Sequence, residues 1–197
     1  MSVAVIRLGV GNTASLLFAL ERLGVRADLT DDPARIAEAE RVVLPGVGAA
    51  AFASRVMRER GLDTVLRAFS RPLLGICLGQ QLLFEHSDEG DAEGLALLPG
   101  RVTPLPNSRE YPSPHMGWSK LKDCASHPLL DGVRDTYAYF VHSFACPIDE
   151  RTIARAEHGR AFAAVSARGN VLGCQFHPER SGSMGARVLA NFMALPC

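Results

Sequence analysis

The sequence carries no excess of charge of either sign: Lys and Arg number 21, and Asp and Glu number 21. No global field therefore draws the chain toward nucleic acid or an anionic membrane. It has no apolar run of the length needed to span a bilayer. Its opening, MSVAVIRLGVGN, holds one short apolar run and then glycines, without the basic segment, long apolar stretch and small-residue cleavage site of an export signal. CxxC pairs are missing as well. The five cysteines (Cys77, Cys124, Cys146, Cys174 and Cys197) are scattered and odd in number, which argues against a disulfide framework or a zinc site. Low-complexity linkers and internal repeats are also absent. These absences lead us to expect a cytoplasmic protein with no metal, no cofactor, and no nucleic-acid or membrane partner. What is present is ordinary for a globular chain: 197 residues, 47% hydrophobic and 21% charged. That length suits a single domain over 1–197 with a sizeable core.

Hydrophobic periodicity divides the chain into two halves. In the first, Val3–Leu8 reads as a buried strand. Thr13–Leu23 reads as a helix with Leu16, Leu17, Leu20 and Leu23 on one side, ended by Gly24. Val25–Leu29 and Val42–Leu44 follow as strands, the latter stopped by Pro45-Gly46, and a helix runs to Arg60. Pro72–Ile76 is a fourth strand, and Gly79–Phe84 opens a helix. Strands alternating with helices imply βαβ units and a parallel sheet covered on both faces. In the second half, Tyr137–Val141, Thr152–Glu157, Ala161–Ala167 and Val171–Phe176 are closely spaced strands, as in antiparallel pairing. A helix from about Met184 to Phe192 closes the chain. The expected fold is one α/β domain with a mixed, mostly parallel central sheet flanked by helices.

The chemistry begins at Gly75-Ile76-Cys77-Leu78-Gly79. A buried strand enters this segment and a helix leaves it, the pattern of a nucleophile elbow with cysteine in the serine position. The tight turn leaves no room for side chains at Gly75 and Gly79. It also presents the sulfur at the carboxyl edge of the sheet, where open α/β folds bind ligands. A nucleophile needs a base, and the base needs an orienting group. Gln175-Phe176-His177-Pro178-Glu179 supplies both at the end of the last strand. His177 and Glu179 are two apart, so in an extended segment they project to one side, and Pro178 excludes helix between them. On its own this tripeptide would be a turn with a solvated glutamate; beside the elbow it reads as base and orienter. Glu85, Asp88 and Glu89, just past the elbow, are expected to line its pocket. His86, His115, His127, His142 and His158 lack a carboxylate two residues on and read as surface, interface or packing residues.

Gly-Ile-Cys-Leu-Gly with a later Gln-Phe-His-Pro-Glu resembles the class I, triad-type glutamine amidotransferases. Pro45-Gly46-Val47-Gly48, Pro114-His115-Met116-Gly117-Trp118 and Tyr139-Phe140-Val141-His142-Ser143 narrow the likeness to the glutaminase subunits of imidazole glycerol phosphate synthase. The motifs extend to Glu179-Arg180-Ser181, nearly the whole chain. The resemblance implies that Cys77 attacks the side-chain amide of glutamine, with His177 as general base and acid and Glu179 holding the imidazole. It implies an oxyanion hole from Val47, Gly48 and the Leu78 N–H. Substrate contacts are implied at Gln81, Glu89, Ser143 and Phe144. The implied partner is a (β/α)8-barrel cyclase subunit in a heterodimer, contacted by Pro114, Met116, Trp118, Tyr139 and Arg180.

Some positions depart from the family pattern. Arg7 and Leu8 stand where an acidic and an aromatic or similar residue are usual, Gln80 replaces methionine, and Ser119 replaces asparagine. They leave open a paralogue that feeds ammonia to another synthase. Two other classes would keep parts of the pattern. A non-catalytic regulatory subunit would not need Cys77, His177 and Glu179 intact. A stand-alone cysteine hydrolase of γ-glutamyl compounds would not need the Pro-His-Met-Gly-Trp motif. Trp118 divides the expectations further, since most tryptophans are largely buried in their own domain.

Overall fold

The computed structural model describes residues 2–9, 13–46 and 48–197. In chain order it contains β1 (Val3–Ile6), α1 (Thr13–Arg22), β2 (Ala27–Thr30), α2 (Pro33–Glu38), β3 (Arg41–Gly46), α3 (Ala50–Glu59), α4 (Leu62–Arg67), β4 (Leu73–Cys77) and α5 (Leu78–Leu83). Then follow β5 (His86–Ser87), β6 (Ala92–Glu93), β7 (Arg101–Pro104), β8 (His115–Lys120), β9 (Tyr137–His142), β10 (Phe144–Ala145), β11 (Thr152–Glu157), β12 (Ala161–Arg168), β13 (Val171–Cys174) and α6 (Gly182–Ala194).

The central sheet has the order β11-β12-β13-β4-β3-β1-β2. Its β2, β1, β3, β4 and β13 run parallel, and β12 and β11 add antiparallel at one edge. Side chains alternate between its two faces, as strand geometry requires. Val3, Val5, Leu74 and Ile76 join a core with Leu16 and Leu20 of α1 and Val188, Leu189 and Phe192 of α6. Ala4, Ile6, Val42 and Leu73 join the other, with Ala53 and Met57 of α3, Leu62 and Leu66 of α4, and Leu82 of α5. The result is the mixed, mostly parallel sheet covered on both faces that the pattern implied.

Several elements depart from the expectation. β3 runs through Pro45-Gly46 rather than stopping before them. β1 pairs with β3 only as far as Val43, while β4 continues beside it to Gly46. Beyond Val43 one edge of β3 is therefore free, and there a missing N–H breaks no ladder. Helix α2 had a legible start: Pro33 is at its first turn, and the Asp32 carboxylate accepts from the Ala34 N–H at 2.9 Å. Gly61, in the left-handed conformation, separates α4 from α3. The small sheet β10-β7-β5-β6 contains strands too short to carry periodicity. Arg7, one of the family departures, forms surface ion pairs with Asp31, which Arg60 shares. Gln80 is wholly buried, and its amide donates to the Ala163 carbonyl and Ser166 hydroxyl at 3.3 and 3.2 Å. Arg41 is buried, and its guanidinium donates to the carbonyls of Phe192 and Leu195. A cation on the last carbonyls of α6 suits the helix dipole and ties the first half of the chain to the last helix.

Candidate active site

Cys77 ends β4 with φ 53° and ψ −111°. A non-glycine residue in that region is strained, and such strain is characteristic of a nucleophile elbow. The packing explains how the strain is held. A Cβ on Gly79 would lie 1.8 Å from the Leu44 carbonyl oxygen, and one on Gly75 would lie 2.5 Å from the Gly79 oxygen. Only glycine at both positions lets α5 press onto β3 and β4 closely enough to force the turn between them.

The meeting of Cys77 with the distant histidine follows from sheet order. β13 lies beside β4 in parallel, with Cys174 opposite Ile76, so the segment leaving β13 passes the end of β4. There His177 Nδ1 and Glu179 Oε1 lie 2.8 Å apart, both side chains nearly fully buried. Burial alone would depress the imidazole. The neighbouring Cys77 sulfur and Glu179 carboxylate outweigh it and raise His177 to about 10. His177 thus keeps its proton throughout the neutral range. Among the described residues its buried Nε2 has no hydrogen bond of good geometry, so its contact with the sulfur is looser than the bond to Glu179, as is common before substrate binds. The Val141 carbonyl and Gln175 Nε2 also approach the Cys77 sulfur, each at 3.7 Å.

Above the sulfur is a cleft of about 290 Å³ lined by Gly48, Cys77, Leu78, Gln81, Glu89, Val141, His142, Ser143 and Phe144. It gathers all four expected substrate-contact residues with Gly48 and Leu78. Val47 lies outside the described residues. Gly48 has φ +103°, a conformation that side chains disfavour. Glu89 also accepts from the Ala50 N–H at 2.8 Å, at the start of α3. Two carboxylates expected in the pocket are elsewhere: Glu85 accepts from the Gly100 N–H, and Asp88 pairs with Arg101. A larger groove of about 860 Å³ between residues 125–134 and the end of α6 contains none of this chemistry.

Strands β8 and β9 form a separate ribbon beside the site. Its register places Met116 opposite Val141, Trp118 opposite Tyr139, and Lys120 opposite Tyr137 on one face. Met116, Trp118 and Tyr137 are exposed (64%, 55% and 58%), and the Trp118 and Tyr139 rings meet edge to face at 5.9 Å. Trp118 is therefore not a core residue of this domain. Pro114 and Arg180 are exposed as well. The opposite face buries His115, Ala138, Phe140 and His142. Ser181, the end of the Glu179-Arg180-Ser181 motif, with no role assigned to it from the sequence, joins ribbon and triad: its hydroxyl accepts from the Tyr139 N–H at 3.0 Å and donates to the His177 carbonyl at 2.7 Å.

The buried histidines belong to packing rather than to the triad. His115 Nδ1 and His142 Nε2 are 3.1 Å apart, and His158 stacks on His115 at 4.3 Å. Burial, with nearby histidines adding to it, pushes His115 down to about 4 and His142 to about 3. Both are thus neutral in the folded chain, while unfolded histidine takes a proton near pH 6.5. Below that pH the unfolded state binds more protons, so stability falls as pH falls from about 6.5 toward 4, by up to about 1.4 kcal/mol per pH unit for each histidine. Denaturant melts between pH 4.5 and 7 should show this slope. The His115→Gln/His142→Gln double variant should flatten it, and an unchanged slope would assign the acid sensitivity to other groups.

Among the described residues, no group of three His, Cys, Asp or Glu is arranged to hold a metal ion, and no helix is long and apolar enough to cross a membrane. Comparison with known proteins gives a consistent result. The family model for class-I glutamine amidotransferases matches residues 4–195. The imidazole glycerol phosphate synthase subunit HisH of Idiomarina loihiensis is 47% identical over 195 residues, covering 99% of this chain and 98% of that protein. Its counterpart in Xanthomonas euvesicatoria pv. vesicatoria is 49% identical over 194 residues, covering 98% and 97%. Among solved structures, a glutamine amidotransferase superposes with a TM-score of 0.76 at 22% identity, covering 97% of this chain and 96% of that one. PurLQS from Thermotoga maritima superposes at 0.72 and 22%, covering 98% and 97%; at such identities these two speak to the fold alone.

Proposed function

The chain belongs to the class-I glutamine amidotransferases, and from that premise we infer that it is the glutaminase subunit of imidazole glycerol phosphate synthase, acting in histidine biosynthesis. The observation that carries the mechanism is the juxtaposition of a strained Cys77, the raised His177 and the Glu179 carboxylate beneath one cleft. Glutamine enters with its side-chain amide over the sulfur. Sγ attacks the amide carbon, and the negative charge that develops on oxygen is met by the Leu78 N–H and the 47–48 peptide. As the C–N bond breaks, His177 gives its proton to the leaving nitrogen, which departs as ammonia. A γ-glutamyl thioester remains on Cys77. His177 then takes a proton from water, which attacks the thioester to release glutamate and restore the sulfur. Glu179 keeps Nδ1 engaged so that Nε2 faces the reaction.

Gln81 and Glu89 hold the α-amino end of the substrate, and Ser143 and Phe144 line it. Both Gln81 N–H bonds are used, by the Phe144 carbonyl at 2.8 Å and Gln175 Oε1 at 3.0 Å. Its carbonyl oxygen is the group left to accept from an ammonium.

Ammonia released into water near pH 7 is protonated and loses the lone pair needed for attack. Passing it directly to an acceptor subunit avoids that loss. The exposed apolar face of β8 and β9, with Pro114 and Arg180, is the surface we assign to a (β/α)8-barrel cyclase in a cytoplasmic heterodimer. Aromatic residues clustered on an otherwise charge-balanced surface favour an interface over a solvated face.

One titration tests both assignments: this chain is added to the barrel cyclase and its nucleotide substrate, and glutamine-dependent product is measured. Product should saturate at one chain per barrel. Trp118→Ala should raise the apparent Kd by about 30-fold, the effect of losing a hot-spot anchor of roughly 2 kcal/mol. It should alter the melting temperature of the free chain far less than a core deletion. Full turnover without any partner would favour the stand-alone hydrolase instead.

A further inference from the structure

Gln175 stands between the triad and the substrate pocket, and the mechanism above gives it no task. Its side chain is fully buried. Its carbonyl oxygen accepts from Gln81 Nε2 at 3.0 Å, and its own Nε2 donates toward the Cys77 sulfur at 3.7 Å. Since the carbonyl end is held by a donor, the amide cannot reverse without putting two N–H groups face to face, so the N–H end is fixed toward sulfur.

The surroundings of the sulfur give this orientation a consequence. The Val141 carbonyl, also at 3.7 Å, can only accept, so it interacts favourably with a protonated thiol and unfavourably with a thiolate. The Gln175 N–H can only donate, so its preference is the reverse. Two groups of opposite preference thus flank the nucleophile at equal distance, and His177 is the third party to the proton. We propose that Gln175 is a positioning residue of the glutaminase reaction: it stabilises the anionic sulfur against the Val141 carbonyl and, through the same amide, sets Gln81 with its oxygen toward the substrate's α-ammonium. This rests on the reading of Cys77 as the nucleophile. It adds a single side chain that couples readiness of the sulfur to recognition of the amino-acid end.

The test is the pH dependence of Cys77 alkylation by iodoacetamide in the full chain, read by peptide mass so that the other four cysteines are counted apart. Gln175→Met keeps length and burial but removes the amide. It should move the alkylation midpoint of Cys77 upward by about one pH unit, a tenfold loss of thiolate at lower pH. Gln175→Glu, which replaces the donor by a carboxyl group, should move it at least as far. In the complex with the cyclase, both variants should lower kcat and raise the glutamine KM. Gln81→Met, which removes the donor holding the Gln175 carbonyl end, should raise KM and move the Cys77 midpoint in the same direction, though less far than Gln175→Met.

Circular dichroism and melting of each variant show whether it is folded. If either folded Gln175 variant keeps the wild-type midpoint and the wild-type KM, the proposal is overturned. The alkylation reading needs no turnover, so a wild-type complex without glutaminase activity would sink the functional assignment instead.

Discussion

Replacing Cys77 with alanine should abolish glutamine hydrolysis while the partner's synthase reaction continues when ammonia is supplied directly. The assigned nucleophile has no substitute among the neighbouring described cysteines: Cys146 and Cys174 are fully buried, and burial holds their thiols well above the usual range. His177→Ala should cost several orders of magnitude in turnover, because we assign the same imidazole as acid and then as base. Glu179→Ala should cost less, since an orienting group is easier to bypass than a proton carrier. Because residues of a triad act as one unit, the double variants should be scarcely worse than Cys77→Ala alone. The measurement is glutamate release by the complex, with ammonia-driven synthase activity as the control for folding and association. Near-wild-type glutamate release by Cys77→Ala would remove the triad assignment altogether.

The second large effect concerns the partner. Gly48 holds a positive φ at the entrance to α3, where the 47–48 peptide is the oxyanion donor we assign beside the Leu78 N–H. We expect the free chain to be nearly inactive because this donor is not presented, and the liganded barrel to stabilise the competent arrangement. Loss of one such donor typically costs on the order of 100–1000-fold in turnover. Stimulation by the partner should therefore appear mainly in kcat, with glutamine KM changed little, in steady-state assays of the free chain and of the complex. Equal turnover in both states would mean that the oxyanion site is already complete in the free subunit.

Much of this site was legible because its chemistry is local in sequence. The elbow needs Gly75 and Gly79 around Cys77 for steric reasons that the five residues themselves declare, and beside it the His177-Pro178-Glu179 spacing suggests the base and orienter we assign. That these two segments meet was not a matter of spacing. It depends on β13 pairing with β4, a contact across about a hundred residues that no local pattern encodes. The role of Gln175 was hidden for the same reason, since its partners Gln81 and Cys77 lie on other elements. Strands β5, β6 and β10 were not read because two residues carry no periodicity. The end of β3 was misplaced because a proline normally stops a strand, and only its free edge beyond Val43 permits one there. The exposure of Trp118 is another tertiary fact: composition favours burial, whereas the β8–β9 register turns it outward.

The position of β13 within the sheet has a consequence for how the protein is made. Among the described strands it is the last in chain order, yet its place is interior, between β12 and β4. Until it arrives, β4 has a bare edge, and the elbow at its tip faces neither imidazole nor carboxylate. Synthesis proceeds from the N-terminus, and pairings of long sequence separation form late. With the triad as assigned, the cysteine of a chain still lacking β13 cannot yet split glutamine. Completion of the sheet is then a precondition of hydrolysis, so an unfinished subunit consumes no glutamine.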